Sequence, residues 1–473
     1  MIAIDYLATA FSGRLLTDAE DMVPFLTDWR GLWTGRARAV AQPDTPNDVA
    51  RVVRWCAAHR VAVVPQGGNT GLSGGATPDD SGTAIVLSLA RLNRVRGVDT
   101  VNDTITLDAG CILQHVQETA DANDRLFPLS LAAGGTCTIG GNLAANAGGT
   151  SVLRYGSARA LCLGIEVVTA SGDIWDGLLG LRKDNSGYDL RDLFIGSEGT
   201  LGVITGAVLK LFPKPRAKVA AFVAVASPGA ALALFARARA ALDTAVTAFE
   251  LLSETCLAVV LEHVAAARRP LETRAPWYLL IELTDQRSED AARADLETLL
   301  AAAHVEALIL DAAIAGSIAQ SRAFWGLREG ISEAQGAAGK TIKHDLAVPI
   351  SRIADFLIEC DAAVASRWPD LRFVTFGHLG DGNLHYNFSA SPGADQAAFL
   401  ARQDAINALV HDLVRAHGGS ISAEHGLGVL RRDEAARFRS PVEDALMRAI
   451  KQALDPLGIM NPGKLLALPD TAG

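Results

Sequence analysis

The stretch PQGGNTGLSGG, residues 65–75, follows the apolar run VAVV at 61–64 and leads into ATPDD at 76–80. A phosphate group can approach a backbone and collect several amide N–H groups only where small residues leave room and accept unusual backbone angles. The apolar run is typical of a buried strand that feeds such a loop. Neither the GxGxxG fingerprint nor the GKS or GKT of a P-loop is present, and ATPDD does not begin a helix. The stretch therefore predicts a phosphate-bearing cofactor and disfavours a nicotinamide cofactor on a Rossmann fold.

A second glycine-rich segment, GGTCTIGGNLAANAGG, occupies residues 134–149. It offers the same chemistry, with backbone N–H groups and Asn and Thr side chains but no large residues. Two such loops suit a long cofactor that carries a pyrophosphate and a ring system.

Composition places the chain among ordinary globular proteins, with 49% hydrophobic and 20% charged residues. Its 473 residues predict two or three domains. A net charge of −10 disfavours nucleic-acid binding as the main function. No apolar run is long enough to predict a membrane span, and the start lacks the basic region of a secretory signal. The six cysteines lack CxxC spacing, which predicts reduced thiols in a cytoplasmic protein.

The sequence FPKP at 212–215 interrupts the chain, because its prolines continue neither a helix nor a sheet interior. Glycine becomes rarer after it, and alanine-rich helical stretches alternate with strands. We expect a cofactor-binding domain over residues 1–214 and a substrate-binding domain over 215–412. A C-terminal segment over 413–473 is expected to dock back on the first domain.

A histidine hairpin is predicted in GHLGDGNLH, residues 377–385. The dipeptide DG at 381–382 favours a two-residue turn, which would pair His378 with His385 and bring their Cβ atoms to roughly 4.5–5.5 Å. Glu424 offers a carboxylate beside another histidine. Two histidines and one carboxylate with an open position are a common catalytic Zn²⁺ arrangement. The predicted metal ligands are therefore His378, His385 and Glu424.

Cationic and polar residues suggest a place for an acidic substrate. Arg328 and Ser332 are four residues apart and share a face if their segment is helical. Arg328 can bind a carboxylate through two parallel bonds, and the Ser332 hydroxyl can donate one more. Lys343 supplies a second positive charge. Asn387 lies two residues beyond the second hairpin histidine, on the same face of its strand.

These glycine loops resemble the flavin-binding domain of vanillyl-alcohol-oxidase-type flavoproteins. The likeness extends to RYG at 154–156, NSGYDL at 185–190, GSEGTLGVIT at 196–205 and MNPGK at 460–464. It implies an α+β fold, with a two-subdomain FAD-binding domain and an α+β substrate (cap) domain that contains an antiparallel sheet. Dissociable FAD is expected, because Cys137 is the only cysteine or histidine in the two loops.

In that family the first loop contacts the FAD pyrophosphate, and the region around 198–204 contacts the nucleotide side. The resemblance assigns the following residues to FAD: Pro65, Gln66, Gly67, Gly68, Asn69, Thr70, Gly71, Leu72, Ser73, Gly135, Thr136, Ile139, Gly140, Asn142, Asn146, Gly148, Tyr155, Glu198, Val203, Ile204 and Asn461.

The segments that carry the predicted metal and substrate residues are similar to those of the D-2-hydroxyglutarate dehydrogenase branch. The resemblance implies that Arg328, Ser332, Lys343 and Asn387 bind substrate, although threonine is expected where Ser332 stands. It implies hydride transfer from C2 of a D-2-hydroxy acid to flavin N5, with metal-assisted deprotonation of the hydroxyl. His425 is the candidate general base, because an imidazole titrates near working pH.

Two alternatives stay open at this point: oxidation of D-lactate or glycolate by the same chemistry, and a zinc hydrolase whose glycine loops are only structural. A third alternative is a flavin-binding electron-transfer module without a substrate site. The resemblance implies an electron acceptor such as an electron-transferring flavoprotein or a quinone-linked carrier. The oligomeric state is left open, with a homodimer as one alternative.

Overall fold

The computed structural model describes residues 4–391 and 393–468. The ends of the predicted first and C-terminal domains, residues 1–3 and 469–473, lie outside the described residues. The β-strands are β1 Gly13–Leu16, β2 Ala39–Pro43, β3 Val63–Gln66, β4 Ile85–Ser88, β5 Val95–Asp99, β6 Thr104–Asp108, β7 Arg125–Leu126, β8 Cys162–Thr169, β9 Ile174–Gly177, β10 Gly202–Lys210, β11 Phe212–Pro213, β12 Ala217–Val225, β13 Val246–Ser253, β14 Trp277–Asp285, β15 Asp311–Ile314, β16 Thr341–Ile342, β17 Asp345–Ala347, β18 Arg372–His378 and β19 Asn383–Ser389.

The α-helices are α1 Ile4–Ala10, α2 Ala19–Leu26, α3 Pro46–His59, α4 Leu113–Ala122, α5 Ile139–Ala144, α6 Val152–Tyr155, α7 Ala158–Leu161, α8 Leu190–Phe194, α9 Pro228–Leu242, α10 Glu254–His263, α11 Glu289–Val305, α12 Ile318–Glu329, α13 Ile331–Ala338, α14 Ile353–Arg367, α15 Gln396–Leu400, α16 Gln403–Ala416, α17 Arg432–Phe438 and α18 Pro441–Leu454. Short 3₁₀ turns occupy Asp243–Ala245 and Ile350–Arg352.

Two compact units make up the chain. The first contains residues 1–148, 156–214 and 424–473, and the second contains 149–155 and 215–423. The division after residue 214 falls within FPKP. Residues 149–155 and 413–423 group with the second unit, whereas the predicted domains assigned them to the first domain and to the C-terminal segment.

The first unit contains a four-stranded sheet in the order β1-β2-β4-β3 and a five-stranded sheet in the order β5-β6-β10-β8-β9. In the four-stranded sheet, β4 pairs in parallel with both β2 and β3. Helix α3 connects β2 to β3, and the Thr45 side chain caps it by accepting a hydrogen bond from the Asp48 amide. The C-terminal segment joins this sheet, because Val63 and Met460 form a parallel bridge. The loop at 65–75 therefore leaves a strand that is held on both sides.

The second unit is built on an antiparallel sheet in the order β15-β12-β14-β13-β18-β19-β16, with β17 also paired to β19. Strands β12 and β13 are almost wholly buried, and Phe222, Tyr278 and Phe324 pack together in the core. This arrangement confirms the predicted α+β class and the antiparallel sheet of the substrate domain.

Among the described residues, no helix combines the length and the apolar character that a membrane crossing requires.

Candidate functional site

A cleft in the first unit is formed where the two glycine-rich segments meet. It contains about 1480 Å³ of space that no atom fills, part of it open to solvent. Its walls come from residues 65–73 and 75–76, from most of 137–148, from 197–199 and 202–204, and from Glu424 and His425. Its lining is mostly apolar, as the ring system of a cofactor requires.

The first loop presents its backbone to this cleft. Among the described residues, the amide groups of 68–72 donate to no protein acceptor. Asn69 holds the loop in the left-handed region with φ 52°, and its side-chain amide donates to the Thr27 carbonyl at 2.8 Å. A Cβ added at Gly71 would meet nothing within 4 Å, so this residue faces open space. The loop is therefore a set of unpaired N–H donors beside a cavity, which fits a pyrophosphate.

Glycine has a different role at the neighbouring positions. A Cβ at Gly67 would collide with the Thr138 hydroxyl, and one at Gly68 would collide with the Thr136 carbonyl. These two residues therefore allow the two loops to pack against each other. The Thr138 hydroxyl is buried without a hydrogen-bond partner, and Thr138 lines the cleft. An orphaned hydroxyl at this place is a donor that a bound cofactor would satisfy. The sequence analysis missed Thr138, although it lies inside the second glycine-rich segment.

Glu198 joins the cleft to the C-terminal segment. Its carboxylate accepts hydrogen bonds from the amides of Leu427 and Gly428, both at 2.8 Å. Its carbonyl accepts a bond from the Asn461 side chain at 2.7 Å. Burial raises the pKa of the Glu198 carboxyl above its ordinary value, and the two amide bonds work against that rise. Glu198 and Asn461 thus fix the protein backbone around the cleft.

The predicted FAD residues separate into two groups. Those that line the cleft are Pro65, Gln66, Gly67, Gly68, Asn69, Thr70, Gly71, Leu72, Ser73, Gly140, Asn142, Gly148, Glu198, Val203 and Ile204. Those outside its lining are Gly135, Thr136, Ile139, Asn146, Tyr155 and Asn461. Among these, Asn146 accepts bonds from Ser157 and from the Arg159 amide, and Tyr155 belongs to the second unit.

All six cysteines are unpaired and buried, as the sequence predicts. Cys137 lines the cleft, but burial raises the pKa of its thiol, and the Asn142 side chain donates to its sulfur at 3.6 Å. A thiol with a raised pKa is a poor nucleophile.

The predicted register of the histidine hairpin is wrong. His378 pairs with Asn383 and Phe376 pairs with His385, so the loop spans the four residues 379–382. Asp381 favours this longer loop because its side chain accepts a hydrogen bond from the Asn383 amide at 3.0 Å. The two histidines are diagonal neighbours on one face, with ring centroids 5.7 Å apart. They meet as predicted, although they are not directly opposed.

Glu250, which the sequence analysis missed, connects two of the predicted residues. It is 1% exposed and lies on β13 opposite His378. One of its oxygens is 2.8 Å from His378 Nδ1, and the other accepts from Arg328 Nε at 2.8 Å. Burial works to raise the pKa of Glu250, but the charges and hydrogen bonds of His378 and Arg328 outweigh it and keep the pKa below its ordinary value. Glu250 thus lies buried between His378 and Arg328, in contact with both.

Asp345 is a second carboxylate beside the hairpin. Its Oδ1 lies 4.0 Å from His385 Nδ1, so the pair could share one metal ion. The Ala423 amide donates to the Asp345 carbonyl at 3.3 Å, and the next residue along the chain is Glu424. Glu424 and His425 in turn lie 3.8 Å apart by their closest ionisable atoms. Imidazole and carboxylate donors fit a divalent ion such as Zn²⁺.

The remaining predicted substrate residues differ in exposure. Arg328 is buried at the end of α12, whereas Ser332 is exposed on α13, because the segment breaks at Gly330 and is not one helix. The expected shared helical face is therefore not formed. Lys343 is exposed, and Asn387 is buried with its side chain bonded to the His344 amide and to Gln335.

Comparison with known proteins identifies the family. Residues 214–465 match the family described as FAD linked oxidases, C-terminal domain, and residues 37–177 match the FAD binding domain. The chain is 41% identical over 459 residues to a D-2-hydroxyglutarate dehydrogenase of Xanthomonas citri pv. viticola. The aligned region covers 97% of this chain and 95% of that protein. It is 39% identical over 456 residues to the mitochondrial D-2-hydroxyglutarate dehydrogenase of Arabidopsis thaliana. That alignment covers 96% of this chain and 79% of the Arabidopsis protein.

Solved structures confirm the fold. A structure of p-cresol methylhydroxylase with substrate bound has a TM-score of 0.76 at 17% identity, with 98% of this chain and 96% of that chain covered. The 4-ethylphenol oxidase of Gulosibacter chungangensis has a TM-score of 0.73 at 17% identity, with 99% and 97% covered. The predicted vanillyl-alcohol-oxidase-type fold is therefore confirmed, and the match to the FAD binding domain supports the predicted FAD cofactor. The chain belongs to the D-2-hydroxyglutarate dehydrogenase family of FAD-linked oxidases.

Proposed function

We propose that this protein is an FAD-dependent dehydrogenase that oxidises D-2-hydroxyglutarate to 2-oxoglutarate. The observation that carries the proposal is that one buried carboxylate, Glu250, holds both Arg328 and His378. This contact brings a binding group for an acidic substrate beside a candidate metal ligand. The relatives do not favour the alternatives of D-lactate or glycolate oxidation, and an FAD-linked oxidase family does not favour a zinc hydrolase.

FAD would be held in the cleft of the first unit by those of its assigned residues that line the cleft. The unpaired amides of 68–72 and the orphaned Thr138 hydroxyl support this assignment. When bound, FAD supplies the acceptor for the hydride that leaves C2 of the substrate.

His378, His385 and Glu424 are the proposed ligands of a divalent ion, with Zn²⁺ as the expected metal, and Asp345 is a further candidate. When bound, the ion supplies Lewis-acid polarisation of the substrate hydroxyl. Within the second unit, the 5.7 Å separation of the histidine rings and the Asp345 carboxylate beside His385 support this proposal.

Substrate recognition is assigned to Arg328, Ser332, Lys343 and Asn387. The Arg328 guanidinium is bonded through Nε, and among the described residues its two terminal nitrogens have no protein partner. Those nitrogens form the edge that binds a carboxylate through two parallel bonds. Arg328 and Lys343 would hold the carboxylate farther from C2, which a monoacid lacks.

His425 is the proposed general base that takes the proton of the substrate hydroxyl. It lines the FAD cleft, and it adjoins Glu424 in the chain. A base at the flavin would remove this proton close to the place where the hydride leaves.

The proposed electron acceptor is an electron-transferring flavoprotein or a quinone-linked carrier, and a homodimer is kept as one alternative for the assembly. The cytoplasm is the proposed compartment, which the six unpaired cysteines support.

A substrate panel with an artificial electron-acceptor dye tests the activity. We expect kcat/KM for D-2-hydroxyglutarate to exceed that for D-lactate and glycolate, with 2-oxoglutarate as the product. A higher kcat/KM for either monoacid would contradict the proposed substrate.

A further inference from the structure

We propose that Glu250 is a positioning residue that orients the metal ligand His378 and the substrate-binding residue Arg328 at the same time. The proposal rests on the function given above. In it, Glu250 binds neither the metal nor the substrate but orients one residue that binds each.

The backbone places Glu250 where it can serve both groups. It lies on β13 directly opposite His378 on β18, in the register of the antiparallel pair. The opposed side chains of such a pair are neighbours. Arg328, from the last turn of α12, approaches the same carboxylate from its other oxygen. Because Glu250 is 1% exposed, water does not compete for either bond.

The bond to His378 selects one form of the imidazole. Arg328 Nε, which can only donate, bonds one oxygen of Glu250, and the other oxygen is placed to accept from an Nδ1–H of His378 at 2.8 Å. Ligation of a metal by His378 is then directed to Nε2. A carboxylate that holds a ligand histidine in this way fixes both its tautomer and its ring orientation.

The bond to Arg328 directs the guanidinium in a similar way. Glu250 occupies Nε, and the Phe376 ring lies 4.7 Å from the guanidinium carbon. These two contacts fix the orientation of the guanidinium plane. The two terminal nitrogens then remain available to bind a substrate carboxylate. Since both bonds belong to one carboxylate, a shift of Glu250 would displace the metal ligand and the substrate group together.

The substitution Glu250→Gln tests whether the hydrogen bonds of Glu250 orient His378 and Arg328. The amide has nearly the same shape as the carboxylate, but its nitrogen donates and cannot accept from an N–H group. One of the two bonds to Glu250 must therefore fail. If the amide nitrogen faces Nδ1, it favours the tautomer that protonates Nε2 and blocks that ligand.

The control is Glu254→Gln in the same unit. Glu254 also pairs with an arginine, Arg269, at 2.7 Å and accepts from the Tyr278 hydroxyl at 2.7 Å. Neither Arg269 nor Tyr278 is a predicted metal or substrate residue, so the loss of this carboxylate should affect stability only.

The experiment measures three quantities in the FAD-loaded wild-type, Glu250→Gln and Glu254→Gln proteins: Zn²⁺ affinity by competition with a chromogenic chelator, KM and kcat for D-2-hydroxyglutarate, and flavin content. We expect Glu250→Gln to weaken Zn²⁺ binding by about 10–100-fold. We expect its KM to rise by about tenfold or more, because the bidentate contact is misaligned. Glu254→Gln should match wild type in both, and all three proteins should retain FAD.

Wild-type values of Zn²⁺ affinity and KM in Glu250→Gln would overturn the proposal, as would equal losses in Glu254→Gln. If Glu250→Gln does not fold, Glu250→Asp replaces it, since it keeps the charge and shortens the reach. It should show smaller losses of the same two quantities, and wild-type values there would equally overturn the proposal. A wild-type protein that binds no Zn²⁺ would refute the proposed metal centre and the His378 half of this inference, while KM would still test the Arg328 half.

Discussion

The Ser73 hydroxyl lies 3.1 Å from the backbone carbonyl of His425, to which it donates a hydrogen bond. It also lies 3.0 Å from the Gly426 carbonyl. Ser73 belongs to the first glycine-rich loop, and His425 belongs to the C-terminal segment, 352 residues away. The candidate general base is therefore anchored directly to the loop that is expected to bind the FAD pyrophosphate.

Replacement of this base should slow the reaction without releasing the flavin. We expect His425→Gln to lower kcat by about 100-fold or more, because general-base catalysis contributes about 10²–10⁴-fold. The flavin absorbance of the purified variant should equal that of wild type, since the backbone bonds from Ser73 do not involve the imidazole. Stopped-flow reduction of the flavin by D-2-hydroxyglutarate measures the step. A reduction rate like that of wild type would refute the role of His425.

Removal of a proposed metal ligand should likewise separate metal from flavin. We expect Glu424→Ala to lose most turnover and at least about tenfold in Zn²⁺ affinity. The visible spectrum should still show bound FAD, because the first loop donates its free amides without Glu424. Metal analysis and absorbance of the same preparation check both points. A colourless variant would contradict the assignment of Glu424 to the metal rather than to FAD.

Arg328 should discriminate between diacids and monoacids. We expect Arg328→Lys to raise KM for D-2-hydroxyglutarate by about 10–100-fold, because a charged hydrogen-bonded pair contributes about 1.5–3 kcal/mol. A lysine ammonium that bonds Glu250 cannot also present the planar pair of N–H donors with which arginine binds a carboxylate. KM for D-lactate should change less. Equal changes for both substrates would contradict the assigned contact with the far carboxylate.

The substitution Gly71→Ala tests whether bound FAD contacts the first glycine-rich loop. An alanine Cβ there meets no protein atom within 4 Å, so Gly71→Ala should leave the apoprotein as stable as wild type. In the holoprotein the methyl group would intrude on the cofactor, and we expect FAD affinity to fall by about tenfold, or ~1.4 kcal/mol. Gly187→Ala is the control, since it also meets nothing within 4 Å but lies outside the cleft lining. Fluorescence titration of apoprotein with FAD gives the affinities, and wild-type affinity in Gly71→Ala would exclude close contact.

Asp361 should make stability depend on pH. Burial raises the pKa of its carboxyl to about 6, although the Tyr386 hydroxyl, which donates to it at 2.6 Å, works against that rise. A raised acid pKa contributes stability that is present below the unfolded pKa and is lost as pH rises through about 6. The loss should be about 3 kcal/mol, since each pKa unit corresponds to about 1.4 kcal/mol.

Asp361→Asn should reduce this dependence, because asparagine does not titrate. Melting temperatures measured between acidic and neutral pH compare the two slopes. An unchanged slope in Asp361→Asn would assign the pH dependence to other groups.

The sequence was informative where local patterns determine the structure. Thr45 caps α3, a feature that can be read from the sequence because N-capping depends only on neighbouring residues. The glycine-rich loops converge on one cleft as predicted, because their composition fits little else. The antiparallel sheet of the second unit followed from the resemblance alone.

Long-range contacts explain what the sequence did not provide. Glu250 is one glutamate among many acidic residues, and only the pairing of β13 with β18 places it opposite His378. The hairpin register depended on Asp381, whose side chain replaces a tight turn with a longer loop. The break at Gly330 separates α12 from α13, so Arg328 is buried while Ser332 is exposed. No periodicity in the sequence marks these outcomes.

Anaerobic reduction of the bound flavin by D-2-hydroxyglutarate, with and without a metal chelator, tests the central claim most directly. It reports on FAD, substrate and metal in one spectrum and needs no electron acceptor. The proposed function predicts rapid bleaching of the oxidised flavin band by this substrate, slower bleaching by D-lactate, and loss of both after chelation. Bleaching that proceeds only with D-lactate or glycolate, or a flavin that no 2-hydroxy acid reduces, would contradict it.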